Sequence, residues 1–196
     1  NSHRVITDAV HTEGGKIALQ ILHAGRYGYH PLSVSASRVK SPITPFAPRE
    51  LSSRGVEGQI RDFVRCAVLA REAGYDGVEV MGSEGYFINQ FLVAHTNQRS
   101  DDWGGSYENR MRLPLEILAR MREAAGPDFI IIYRLSMLDL VPDGSSWEEV
   151  VELGRRVARG GATISARWPL PIGATMSITR ADRSFLVESS SSMRKR

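Results

Sequence analysis

One cysteine, Cys66, leaves the 196-residue chain with neither an internal disulfide nor a multi-cysteine metal or iron–sulfur site of its own. It lies in an apolar helical stretch and reads as a buried structural thiol rather than a nucleophile. Histidine is also sparse. His3, His11, His23, His30 and His95 show no H-E-x-x-H or comparable ligand spacing, so no metal site is expected. No apolar run approaches the roughly 18 residues of a membrane span. No basic stretch followed by an apolar one opens the chain, which points away from secretion and toward the cytoplasm. Charge of one sign is lacking too: 25 Lys and Arg face 22 Asp and Glu, a formal net charge of +3. The pI near 9.2 therefore carries little weight. The one basic cluster, Arg194 to Arg196, follows a serine run at the very end, and nucleic-acid binding is not expected.

What the sequence has is an alternation of strand-like and helix-like segments. Val5 to His11 reads as a helix end closed by Gly14-Gly15, and Lys16 to Leu22 as a buried apolar strand interrupted only by Gln20. A Pro- and Ser-rich loop from His23 to Ser53 follows, long enough to be functional or disordered. Ile60, Phe63, Val64, Ala67 and Val68 form the stripe of an amphipathic helix ending at Gly74. Gly77 to Val80 is a second strand, with a short helix from Phe87 to Leu92 after it. A longer helix near Glu108 to Ala124 places Pro114 early. Phe129 to Leu135 is a third strand, apolar enough that both faces should be covered. Trp147 to Arg159 is a helix capped by Ser145 or Ser146, and Ala162 to Ile164 opens a fourth strand. The pattern implies α/β with a parallel sheet. No G-x-G-x-x-G follows a strand, which favours a (β/α)8 barrel over a dinucleotide-binding sheet.

Chemistry in such folds collects where strands end at their C-terminal edge. Tyr86, just past the second strand, is the first candidate: a packed aromatic or a phenol that protonates a developing carbanion. Gln20 is either a core amide satisfied by a neighbouring strand or a partner for a ring bearing donors and acceptors. Arg134 could pair with a carboxylate such as Glu79, or supply positive charge beside an anionic cofactor form. Arg26, in His23-Ala-Gly-Arg26, could meet phosphate or carboxylate, or anchor its loop through a carboxylate.

Gln20 to Arg26, Ala73 to Val80, Gly85-Tyr86 and Asn97 to Gly105 together resemble the old yellow enzyme (NADH:flavin oxidoreductase) family. Within it they look most like the bacterial-type, flavin-dependent 2,4-dienoyl-CoA reductases. The resemblance runs from about residue 3 to Ile164. It implies a partial (β/α)8 TIM barrel of about four central strand–helix units at 1–164, followed by a divergent, partly disordered tail at 165–196. It further implies FMN as cofactor, NAD(P)H and an unsaturated acyl-CoA as partners, and hydride transfer from reduced flavin with Tyr86 protonating the other carbon. Gln20 would meet the flavin pyrimidine edge, Arg134 its N1 and O2 region, and Arg26 and His95 the substrate. Positions where many relatives carry a carbonyl-gripping His pair, or His and Asn, hold Met81 and Glu84, as the dienoyl-CoA reductase branch does.

The resemblance also implies missing parts. Two earlier strands would precede Asn1, the active-site histidine would align near Ile172, and the later phosphate-binding strands have no counterpart. FAD and a 4Fe–4S cluster are expected only in a full-length relative. Half a barrel has open edges, so the chain alone is expected to be marginally stable, to hold FMN weakly and to be weakly active or inactive. The other readings are a non-catalytic product that associates with an intact subunit, and another ene reductase of the old yellow enzyme type.

Overall fold

The computed structural model describes residues 2–168, the last five by backbone alone. In order come α1 (Ser2–Thr12), β1 (Ala18–Ile21), a 3-10 turn (Gly25–Tyr27), β2 (Val34–Ser35), β3 (Arg49–Glu50), α2 (Ser53–Glu72) and β4 (Gly77–Gly82). Then follow α3 (Phe87–Leu92), α4 (Tyr107–Ala125), β5 (Ile130–Ser136), α5 (Trp147–Arg159) and β6 (Ile164–Trp168). β1, β4, β5 and β6 form one sheet in that order, every pair parallel. Strand order never reverses, and α4 packs against both α2 and α5 on the face that buries Val78, Val80 and Ile131. A doubly wound sheet reverses its order and covers both faces, whereas a segment of barrel does neither.

Local chemistry sets the helix limits. Ser52, Ser106 and Ser146 accept the backbone N–H of Gly55, Asn109 and Glu149, each satisfying a donor that the first helical turn leaves free. Of the two serines before α5, Ser146 is the cap, and Glu149 returns the bond to close a capping box. Pro114 is the eighth residue of α4 rather than an early one. It is buried with Leu113, Ile117 and Leu118, and that packing holds a helix continuous through a residue that cannot donate to the preceding turn.

Alternation along the strands sorts the core. Val78, Val80, Ile131, Tyr133 and Leu135 are buried under the helices, against Ile60, Phe63, Ile117, Leu118, Met121, Leu153 and Val157. Each such side chain contributes about 1.5–3 kcal/mol by leaving water. The opposite face is not covered as the apolar third strand led us to expect: Ile130, Ile132 and Arg134 remain partly exposed there. Cys66 is a second correction. α2 turns Phe63, Ala67 and Ala70 inward and leaves Cys66 exposed beside them. Partial burial and the Asp62 carboxylate one turn back raise its thiol pKa, so it is not a ready thiolate.

The long loop is neither unstructured nor as long as expected. β2 and β3 pair in parallel within it, and its last residue, Ser53, already begins α2. The fourth strand occupies Ile164–Trp168, so it extends into the segment set apart as the tail. The position near Ile172 and the rest of 169–196 lie outside the described residues.

Candidate active site

The parallel register sets Gln20 beside Glu79 and Glu79 beside Ile132, while Met81 stands beside Arg134. All point to the face the helices do not cover. Gln20 therefore does not lie inside a buried strand: β1 is an edge of the sheet among the described residues and its side chain is exposed. Its Nε2 donates to Glu79 Oε2 at 2.8 Å. Arg134 approaches the other carboxylate oxygen, Oε1, with Nε and Nη2, both at 2.8 Å. Glu84 is a more distant partner, 3.6 Å from Arg134 Nη1. A polar row thus crosses three strands. An outward amide and a guanidinium whose Nη1 corner, among the described residues, meets only the more distant Glu84 suit a planar ring that carries donors and acceptors and gains negative charge.

Past β4 the chain turns sharply. Glu84 and Gly85 both adopt left-handed backbone, at φ +62° and +73°. A Cβ at Gly85 would lie 2.6 Å from the Tyr27 hydroxyl, so the position needs glycine for both reasons. The turn delivers Tyr86 as the residue before α3, its ring edge-on to Tyr27 with centroids 5.7 Å apart. Tyr86 is half-buried, and among the described residues its hydroxyl has no hydrogen-bond partner.

Gln90 of α3 secures this turn. Its Nε2 donates to the Gly85 carbonyl at 2.7 Å, and its Oε1 accepts from Arg26 N at 3.0 Å and from Ser35 Oγ at 2.8 Å. Gly25, at φ +59°, packs directly on that amide; a Cβ there would fall 2.2 Å from Oε1. Arg26 itself is buried, with Nη1 3.5 Å from the Lys40 carbonyl and the guanidinium 5.5 Å from the Tyr27 ring centroid. No carboxylate anchors it among the described residues, and its Nε has no hydrogen-bond partner. With Tyr27, Glu84, Asn89 and the apolar Leu138 and Leu140, it lines a cavity of about 520 Å³ at the C-terminal ends of β4 and β5.

The structure thus joins Gln20 and Arg134 through Glu79, and carries that link by way of Glu84 to the turn that bears Tyr86. Arg26 shares the cavity with Glu84. His95, half-buried in the turn after α3, is not a lining residue, although Val93 and Thr96 on either side of it are. His23 stacks on Phe87 at 4.2 Å, and burial lowers its pKa, which keeps it neutral. The Asn97 to Gly105 segment works as a clasp. Asn97 Nδ2 donates to the Phe91 and Trp103 carbonyls at 2.7 and 2.8 Å. Arg99 bonds the Ala36 and Leu51 carbonyls and pairs with Asp101. Sequence reasoning missed Gln90 and this clasp. The available signal was an Asn-Gln pair inside the apolar run Phe87 to Leu92.

Residues 1–188 match the model of the NADH:flavin oxidoreductase / NADH oxidase family. An NADH oxidase from Thermoanaerobacter brockii is 40% identical over 166 residues, covering 81% of this chain and 25% of its own length. Morphinone reductase superposes with a TM-score of 0.79 at 29% identity, covering 95% of this chain and 54% of that one. A 2-naphthoyl-CoA reductase, solved with 2-naphthoyl-CoA, gives 0.77 at 33% identity over 81% of this chain and 27% of that one. The chain thus spans about a quarter to a half of the length of these relatives. The sequential parallel sheet is part of a (β/α)8 barrel, and the chain belongs to the NADH:flavin oxidoreductase / NADH oxidase family.

Proposed function

We propose that this chain carries the central part of an FMN-dependent reductase acting on 2,4-dienoyl-CoA thioesters in the oxidation of unsaturated fatty acids, with NAD(P)H as the electron source. The observation that carries the proposal is the Gln20–Glu79–Arg134 row, whose exposed amide and partly exposed guanidinium match a flavin's pyrimidine edge in donor set and in charge. FMN, if bound here, would supply the hydride. Arg134 stabilises negative charge, and the uncommitted Tyr86 phenol donates to the carbon that does not receive the hydride. Arg26 and His95 are proposed substrate contacts, Arg26 through the cavity it lines. The barrel part is taken to run through the fourth strand, to Trp168, rather than to end at residue 164; the remainder is taken as a separate tail, and the protein as cytoplasmic.

The thioester class rests on the end of β4. Met81 is buried, with its sulfur 3.9 Å from the Ser83 hydroxyl, and Glu84 faces Arg134. Neither a thioether nor an ionised carboxylate donates a hydrogen bond, so these positions do not grip a ketone oxygen as a His–His or His–Asn pair does. The likeness to a 2-naphthoyl-CoA reductase supports the same class. A second reading, an ene reductase for free enones, is favoured by 12-oxophytodienoate reductase 2 of Arabidopsis thaliana, 35% identical over 76% of this chain. Turnover of a 2,4-dienoyl-CoA and of 2-cyclohexenone, measured with FMN in excess, separates the two. Preference for the thioester supports the proposal, and preference for the cyclic enone overturns it.

A further inference from the structure

We infer that Glu79 is the positioning residue of this site: it sets which way round the Gln20 amide faces and which corner of Arg134 it leaves unheld. The inference rests on the flavin reading above and deepens it. An ionised carboxylate only accepts hydrogen bonds, so the Gln20 group that meets Oε2 at 2.8 Å is the NH2. The amide carbonyl and one remaining N–H are thereby turned outward, as an acceptor beside a donor. That is the complement of a lactam edge, N–H beside C=O. On the other side, Oε1 takes Nε and Nη2 of Arg134 and leaves Nη1 as the corner not held by Glu79. One side chain thus orients two neighbours on two different strands, β1 and β5.

A bland alternative is a cross-strand ion pair that only steadies the sheet. Glu79→Gln distinguishes them because its shape is retained. The substituted amide has a single acceptor oxygen, which Arg134 claims as the charged donor. Its NH2 then faces Gln20, which must turn over and present only donors outward. An amide in that orientation cannot accept from a ring N–H.

The test compares dissociation constants for FMN and for N3-methyl-FMN, read by quenching of flavin fluorescence on the chain. The ratio carries the result, so weak binding suffices. Wild type should prefer FMN by roughly tenfold, the equivalent of one good hydrogen bond. E79Q should lower that preference to near unity, as Gln20→Ala does, with far-UV circular dichroism unchanged. Arg134→Met, which leaves Gln20 bonded to Glu79, should weaken both flavins alike and keep the ratio, and it remains informative if E79Q folds poorly. Affinities that fall in parallel in E79Q with the ratio intact would overturn the inference while leaving the flavin reading standing, and so would a ratio lost in R134M. A wild-type chain that does not distinguish the two flavins would overturn the flavin reading itself, and this inference with it.

Discussion

The Gln90 amide donates to the Gly85 carbonyl at 2.7 Å, one residue before Tyr86, while its oxygen accepts the Arg26 amide. The proposed proton donor therefore takes its position from a side chain a full turn into α3, in contact with the loop after β1. Gln90→Leu keeps the volume but leaves several buried partners unsatisfied, at about 1–3 kcal/mol each. We expect a clear drop in unfolding free energy by urea titration, together with slower proton delivery by Tyr86. A fall in stability with no change in turnover would detach Gln90 from the placement of Tyr86.

Arg99 is the clasp of the long loop. Its side chain is 3% exposed, pairs with Asp101 and bonds the carbonyls of Ala36 and Leu51. The Asp101 side chain is 38% exposed, so the cost lies mainly in the Ala36 and Leu51 carbonyls left without a donor, about 1–3 kcal/mol each. Arg99→Ala should approach that loss, and hydrogen exchange should show the 23–53 loop opening first. Uniform destabilisation without preferential loop exchange would argue against the clasp.

The same pair predicts acid sensitivity. Hydrogen bonding from Arg99 first, then from Ser53 and the Trp103 amide, holds the Asp101 pKa at about 2, below its ordinary 3.8. A carboxyl depressed in the folded state stabilises fully above its unfolded pKa and loses that contribution as pH falls through the folded one. Wild-type Tm should therefore drop more steeply than that of Asp101→Asn between pH 4 and pH 2. Parallel curves would contradict the assignment.

Cys66 should react slowly but completely with a thiol reagent in the folded chain, because it is exposed and its pKa is raised. Cys66→Ser should shift stability by no more than about 0.5 kcal/mol.

Much of the layout was legible because period-2 and period-3.6 patterns dominate here. The α3 limits, a serine cap before α5 and the sequential parallel strands follow from residues close in sequence. Gln20 and Arg134 stood out as polar residues in apolar strands. The errors are tertiary. Whether Gln20 is covered depends on its strand's place in the sheet, not on its neighbours in the chain. Cys66 sits among apolar residues yet falls on the outward side of α2. The shared use of Glu79 and the reach of Gln90 connect residues 55 to 66 apart in sequence, which no local pattern encodes.

Tyr86 as proton donor is the centre of the account. The most direct measurement is anaerobic mixing of chemically reduced FMN and the chain with a 2,4-dienoyl-CoA, followed by the return of oxidised flavin absorbance. Wild type should reoxidise flavin weakly but measurably faster than FMN alone, and Tyr86→Phe should remove that acceleration with flavin affinity unchanged. Equal rates for wild type and Y86F, or no acceleration over free FMN, would contradict it.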